Sequence, residues 1–132
     1  EEDILSLTTI HEYLNKGGKI ILTVPAYMFL WSRHDMYSHH KRRYNMSQIN
    51  RMLKSTGYNV KYSSYFNFLL FPMIFTFRLL EKIIRFDLRK NDLKQENKIV
   101  NYLLKKIFSF ESKLLPRLSV PFGMSIVSIG IK

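Results

Sequence analysis

The stretch GGKIILTVP, Gly17 to Pro25, limits the possible folds more than any other in the chain. Lys19 to Val24 is a short apolar run closed by Gly-Gly on one side and proline on the other. It reads as a buried strand, expected to be parallel to its neighbours. Before it, Asp3 to Asn15 places Ile4, Leu5, Leu7, Thr8, Ile10 and Leu14 close to the spacing of a helix with one buried face. Asn15-Lys16-Gly17-Gly18 ends that helix, because glycine accepts the left-handed backbone of a helix C-terminus. Helix, Gly-Gly turn and buried strand form half of an α/β unit.

The strand leads into the densest chemistry in the chain. Pro25 to Tyr44 (PAYMFLWSRHDMYSHHKRRY) holds three of the four histidines, the only tryptophan and an Arg-Arg-Tyr triplet. An ionisable, aromatic cluster at the exit of a strand is where α/β folds place their sites. The loop stops at a helix start: Asn45 is an N-cap and Gln48 stands at the reciprocal capping-box position. Ile49, Met52 and Leu53 give that helix its buried stripe, and Gly57 ends it. Tyr58 to Tyr65 alternates loosely and is rich in tyrosine and valine, so it reads as a second strand.

Then the texture changes. Phe66 to Phe77 is almost wholly apolar, and Leu79 to Phe86 mixes apolar residues with Glu81, Lys82 and Arg85. A helix that crosses a bilayer needs ~20 apolar residues, and this uncharged run is about a dozen. Asp87 to Lys98 reads as a surface linker or frayed helix. Ile99 to Leu115 reads as an amphipathic helix built on Leu103, Leu104, Ile107, Phe108 and Leu114, ended by Pro116. Pro121-Phe122-Gly123 is a turn, and Met124 to Ile131 a final strand. The expected organisation is a core over residues 1–67, a helical insert over 68–121 that forms a lid or membrane-surface element, and a closing strand over 122–132.

Composition narrows the function classes. The 132 residues suit one domain with a real core, and 46% hydrophobic content argues against disorder. The absence of cysteine excludes thiolate nucleophiles and Cys-type zinc sites and fits a reducing compartment, so the expected location is the cytoplasm, with peripheral membrane contact. No N-terminal stretch has the pattern of a signal peptide. The net charge of +11 favours an anionic partner. About half the excess lies between Arg78 and Arg117, interleaved with apolar residues, which suits a membrane-facing or partner-facing surface better than a nucleic-acid groove.

These residues together resemble the second half of class I S-adenosylmethionine-dependent methyltransferases, in the group described as type 11 or type 12. The resemblance rests on Pro25-Ala26-Tyr27 through Trp31-Ser32-Arg33-His34-Asp35, on His40-Lys41-Arg42-Arg43-Tyr44, and on Asn67-Phe68-Leu69-Leu70-Phe71-Pro72. It covers about residues 1–80, and Phe122-Gly123-Met124-Ser125 again near the end. It implies the C-terminal half of a Rossmann-like seven-stranded sheet. Lys19–Val24 would be the fifth strand, Tyr58–Tyr65 the sixth, and Met124–Ile131 an antiparallel seventh inserted between them. The family binds its cofactor with a Gly-rich turn after the first strand and an acidic residue ending the second. This chain has five glycines and no Gly-x-Gly. The resemblance therefore implies that S-adenosyl-L-methionine is held mainly by an N-terminal half, and that these residues are inactive alone.

Methyl transfer is an in-line displacement, so the enzyme chiefly positions the acceptor. A hydroxyl acceptor must also lose a proton, and histidine is suited to take it. His34 beside Asp35, and His40 beside Arg42-Arg43, are the expected catalytic residues, with Asp35 orienting a histidine. His39 ranks lower, because the family pattern more often has a small residue there. Arg42 and Arg43 are expected to clamp a carboxylate or phosphate, with Trp31, Tyr44, Asn67 and Phe68 lining the acceptor site. The bland alternatives are that Trp31 and Tyr27 anchor the loop and that Arg43-Tyr44 pins it to the helix start, through Asp35. His34, Asp35, His39 and His40 do not have a familiar zinc spacing, and no metal is expected.

The leading function is thus the acceptor side of a methyltransferase acting on a small or lipid-like molecule. The alternative is a non-catalytic remnant or split subunit that uses the fold for binding. A nucleic-acid-binding module ranks last, since no such motif is present. Exposed fifth-strand edges and apolar helices predict self-association of the isolated half.

Overall fold

A computed structural model describes residues 2–84 and 98–132. The elements run α1 (Glu2–Tyr13), β1 (Lys19–Pro25), a 3₁₀ turn (Met28–Leu30), α2 (Arg33–Tyr37), α3 (Met46–Ser55), β2 (Asn59–Phe66), α4 (Phe71–Ile84), α5 (Lys98–Leu114) and β3 (Ser125–Ile131). The protein is α/β. Its three strands lie in the order β1-β3-β2, and β3 is antiparallel to both neighbours. β1 and β2 therefore run in the same direction with the last strand between them. The expected linker at 87–98 lies outside the described residues except for Lys98, which opens α5.

Two expectations for the first unit change. Lys19–Val24 has an antiparallel partner among the described residues, where it lies at the sheet edge, and is not a parallel strand buried on both faces. Ile20, Leu22 and Val24 pack on the core, whereas Ile21 on the opposite face is 69% exposed. The continuous apolar run reflects two apolar faces, of which the described residues cover one. In α1, Ile4, Leu5 and Ile10 are exposed, and only Leu7 is buried. The helix instead seats itself along Asp3, Leu7, His11 and Leu14, one line of a helix surface. Tyr44 donates to Asp3, Tyr58 donates to the Leu7 carbonyl, the His11 ring stands edge-on to Tyr58 at 4.8 Å, and Leu14 packs on the core.

The core gathers Leu7 from α1, Ala26 from the loop, Ile49 and Leu53 from α3, Tyr58 and Tyr65 around β2, and Ile126 from β3. Each large side chain withdrawn from water there contributes about 1.5–3 kcal/mol. α3 begins where its caps require: Asn45 accepts from the Gln48 N–H at 2.9 Å, and the Gln48 side chain accepts from the Asn45 N–H at 2.8 Å. Gly57 ends it at φ +90°, which side chains rarely adopt. Lys132, after β3, donates to the carbonyls of His11 and Leu14 and so closes the C-terminal end of α1.

The segment before β3 runs along the outer side of β2. The Val120 carbonyl accepts from the Tyr65 N–H, and the Val120 N–H donates to Ser64 Oγ. Gly123 lies against the end of β2 so closely that a Cβ there would sit 2.5 Å from the Phe66 carbonyl oxygen. α5 is fastened at two points. Glu111 reaches the turn before α4, and the Tyr62 hydroxyl donates to the Leu115 carbonyl. Among the described residues no helix is long and apolar enough to cross a membrane.

Candidate active-site loop

The loop from β1 to α3 is closed at its base by two backbone bonds. The Tyr27 N–H donates to the Tyr44 carbonyl at 2.8 Å, and the Tyr44 N–H donates to Pro25 at 3.0 Å. This leaves Ala26 and Tyr44 paired as an isolated parallel bridge just beyond β1. Within the loop, Ser32, His40 and Arg43 converge on one carboxylate.

That carboxylate is Asp35, in α2, with 0% of its surface exposed. Arg43 meets it with both arms of the guanidinium, Nε to Oδ1 and Nη2 to Oδ2, each at 2.9 Å. Ser32 donates to Oδ2 twice, from its N–H at 2.8 Å and its hydroxyl at 3.1 Å. His40 Nδ1 lies 3.1 Å from Oδ1, and its own N–H donates to the Asp35 carbonyl at 2.8 Å. Burial alone would raise the carboxyl pKa. The bonds from Arg43, His40 and Ser32 reverse this and hold it well below the usual carboxylate range. Asp35 is therefore ionised at neutral pH and accepts only. Nδ1 of His40 must carry the proton it shares with Asp35, which leaves Nε2 as the basic nitrogen on a half-exposed ring.

Arg43 is committed inside the loop, since its third nitrogen, Nη1, donates to the Ala26 carbonyl at 2.9 Å. Its side chain is 8% exposed. Arg42 instead reaches α1, with Nη1 3.2 Å from the Asp3 oxygen that accepts the Tyr44 hydroxyl at 2.7 Å. Burial first, and then Asp3, push the Tyr44 phenol up to about 12. Asp3, Arg42, Tyr44, Gln48, Arg51 and Met52 line an open cleft of about 320 Å³. Both arginines border this cleft; Arg42 is the more exposed of the two, whereas Arg43 and Tyr44 also tie the loop down.

His34 precedes Asp35 in α2, but its side chain and that of Arg33 lie outside the described residues. His39 sits in the turn after α2 at φ +53°. Trp31 is half-buried, with its N–H bonded to the Met28 carbonyl. Among the described residues no three histidine or carboxylate groups converge as a metal site.

Asn67 and Phe68 belong to a second region, an aromatic cluster that also draws in the loop. Tyr27 stacks on Phe29 and on Tyr65, each at 5.1 Å, and tilts against Phe71 at 5.8 Å. Phe75 continues it from Phe71 and Phe29, and Phe122 bridges Phe68 and Phe71. Tyr27 and Asn67 both hold φ +57°, which turns the chain sharply at each entrance to the cluster. The Asn67 side of that corner is held by Glu111, which is 1% exposed and accepts from the N–H groups of Asn67 and Leu69, each at 2.7 Å.

Sequence reasoning had no role for Ser32, Glu111 or Phe29. Ser32 stands three residues before Asp35, the spacing of a local cap, and that signal was readable. Glu111 meets its partners across more than forty residues, and no local pattern announces it.

Among the described residues, the exit of β1 is not the Gly-rich turn with which the resembled family holds its cofactor. β1 runs into Pro25-Ala26-Tyr27, with the Tyr27 ring packed in the cluster, where a ribose-binding turn would need glycine. Compared with family models, with curated proteins and with solved structures, the chain gives no match.

Proposed function

We propose that this chain forms the acceptor side of an S-adenosylmethionine-dependent methyltransferase. The supporting observation is the order β1-β3-β2, with the last strand antiparallel between two parallel ones and the His40–Asp35 loop leaving the C-terminal end of β1. That is the arrangement expected of the fifth, seventh and sixth strands of the resembled sheet. The outer edge of β1 has no strand partner among the described residues, and the face that carries Ile21 is open, so there is room for the remaining strands and helices.

When bound, S-adenosylmethionine supplies an electrophilic methyl group; its binding falls to residues beyond these. The residues present do three things. Asp35 fixes the His40 ring through Nδ1, so that Nε2 takes the proton of an acceptor hydroxyl, and the same carboxylate stabilises the resulting imidazolium. Arg43 and Ser32 keep Asp35 charged and in place. The Tyr27, Phe29 and Phe75 rings offer an apolar wall for a small or lipid-like acceptor, with Arg42 at the cleft for an anionic group.

The test is methyl incorporation from labelled S-adenosylmethionine by the natural full-length protein, comparing wild type with His40→Asn. A loss of about 10²–10⁴-fold in rate is expected at unchanged cofactor affinity. Full activity in the variant would remove His40 from the chemistry. A second reading is a binding module without chemistry, favoured by the complete engagement of Arg43 within the loop; it predicts cofactor-independent ligand binding and no transfer.

A further inference from the structure

We propose that the outer face of α5 lies in the surface of an anionic lipid bilayer, a role independent of methyl transfer. The inner face of this helix is already used. Glu111 is buried on the Asn67–Leu69 turn, Leu104, Ile107 and Leu114 are half-buried, and Tyr62 holds the following Leu115 and Leu118 carbonyls. Yet Ile99, Leu103 and Phe110 are exposed. They stand four and seven residues apart, which places them in one line along a helix about 25 Å long. Lys106 and Lys113 are exposed beside that line, Lys98 and Lys105 are exposed further round the outward face, and Lys106 Nζ lies 4.8 Å from the centre of the exposed Tyr102 ring.

The charge on this face selects the occupant. Glu111, the only acid of α5, is turned inward, so the outward face is purely cationic. A second copy would bring the same lysines against themselves, in a chain of net charge +11. A nucleic-acid duplex would leave the apolar line unburied. Anionic headgroups over an acyl boundary satisfy both features: lysines pair with the headgroups, and Ile99, Leu103 and Phe110 leave water. Since no described helix is suited to cross the bilayer, the contact is in the plane of the interface.

The test is flotation of the full chain with vesicles of phosphatidylcholine alone or mixed with phosphatidylglycerol, at low and high salt. Binding at least 10-fold tighter to the anionic vesicles is expected, weakening with salt. Combined Lys105→Gln, Lys106→Gln and Lys113→Gln should weaken it by about 100-fold, from the usual contribution of each cation near such a surface. Combined Leu103→Ser and Phe110→Ser should weaken binding also at low salt. All five side chains are exposed, and circular dichroism checks that both variants stay folded. Equal binding to neutral vesicles, no binding to anionic ones, or variants that bind like wild type would each overturn the proposal. So would a lipid-free dimer in sedimentation velocity that Leu103→Ser and Phe110→Ser dissolve.

Discussion

Replacing Arg43 with methionine should be the most damaging single change in the loop, and its pH dependence should invert. The variant keeps the stem but removes three donors: two to Asp35 and one to the Ala26 carbonyl, all at 2.9 Å. Asp35 stays buried and loses the Arg43 guanidinium. Removing one partner of a buried pair typically costs about 3–5 kcal/mol, because the other charge remains uncompensated. For 132 residues that corresponds to a fall in Tm of about 10–20 °C. The sign of the pH effect follows from the Asp35 carboxyl. In the wild type its folded pKa is depressed, so the unfolded chain binds the extra proton on acidification. The stability it contributes is complete above the unfolded value of about 3.9 and is lost as pH falls towards the folded one. In Arg43→Met the burial that opposes ionisation is less well countered. The folded pKa rises above the unfolded one, and acidification from pH 7 towards 4 now stabilises. The assay is urea unfolding from pH 7 to pH 3 of wild type, Arg43→Met, Asp35→Asn and the double variant. A coupling energy of about 3 kcal/mol is expected at pH 7. Additive single effects, or an Arg43→Met variant that loses stability on acidification as the wild type does, would refute the reasoning.

Other changes test separate parts of the fold. Gly123→Ala should destabilise by about 1–3 kcal/mol in thermal unfolding, because its Cβ would meet the Phe66 carbonyl at 2.5 Å and backbone must move. Glu111→Gln exchanges a doubly accepting carboxylate for an amide with one acceptor, and should cost about 1–3 kcal/mol while hydrogen exchange at the Asn67 and Leu69 amides quickens. Asn45→Ala should cost about 1 kcal/mol by removing the α3 cap, with fraying visible as faster exchange in its first turn.

The parts of the fold that were legible are those written locally. The Asn45–Gln48 capping box, the Gly57 stop and the final strand all follow from a few adjacent residues, and they fall within a residue or two of where they were expected. The Lys19–Val24 strand was legible as a strand, but which of its faces is covered was not, because an apolar run does not say so. The α1 stripe was misassigned for a related reason. His11 and Asp3 are polar and outside the apolar stripe, yet they seat the helix through Tyr58 and Tyr44. In the loop, the pairing of Asp35 with Arg43 could be suggested from proximity in sequence, whereas the choice of His40 as its histidine depends on how the turn at His39 folds the chain back. The hub role of Tyr27 required contacts from β2 and α4, and Glu111 required a helix far along the chain.

The most direct measurement is calorimetric titration of S-adenosylhomocysteine into two samples, the natural full-length protein and the 132-residue chain alone. The expected result is saturable binding by the first and none by the second, since cofactor binding is proposed to fall to residues beyond these. No binding by the full-length protein would contradict the methyltransferase reading, and binding by the 132 residues alone would contradict the division of the site between two halves.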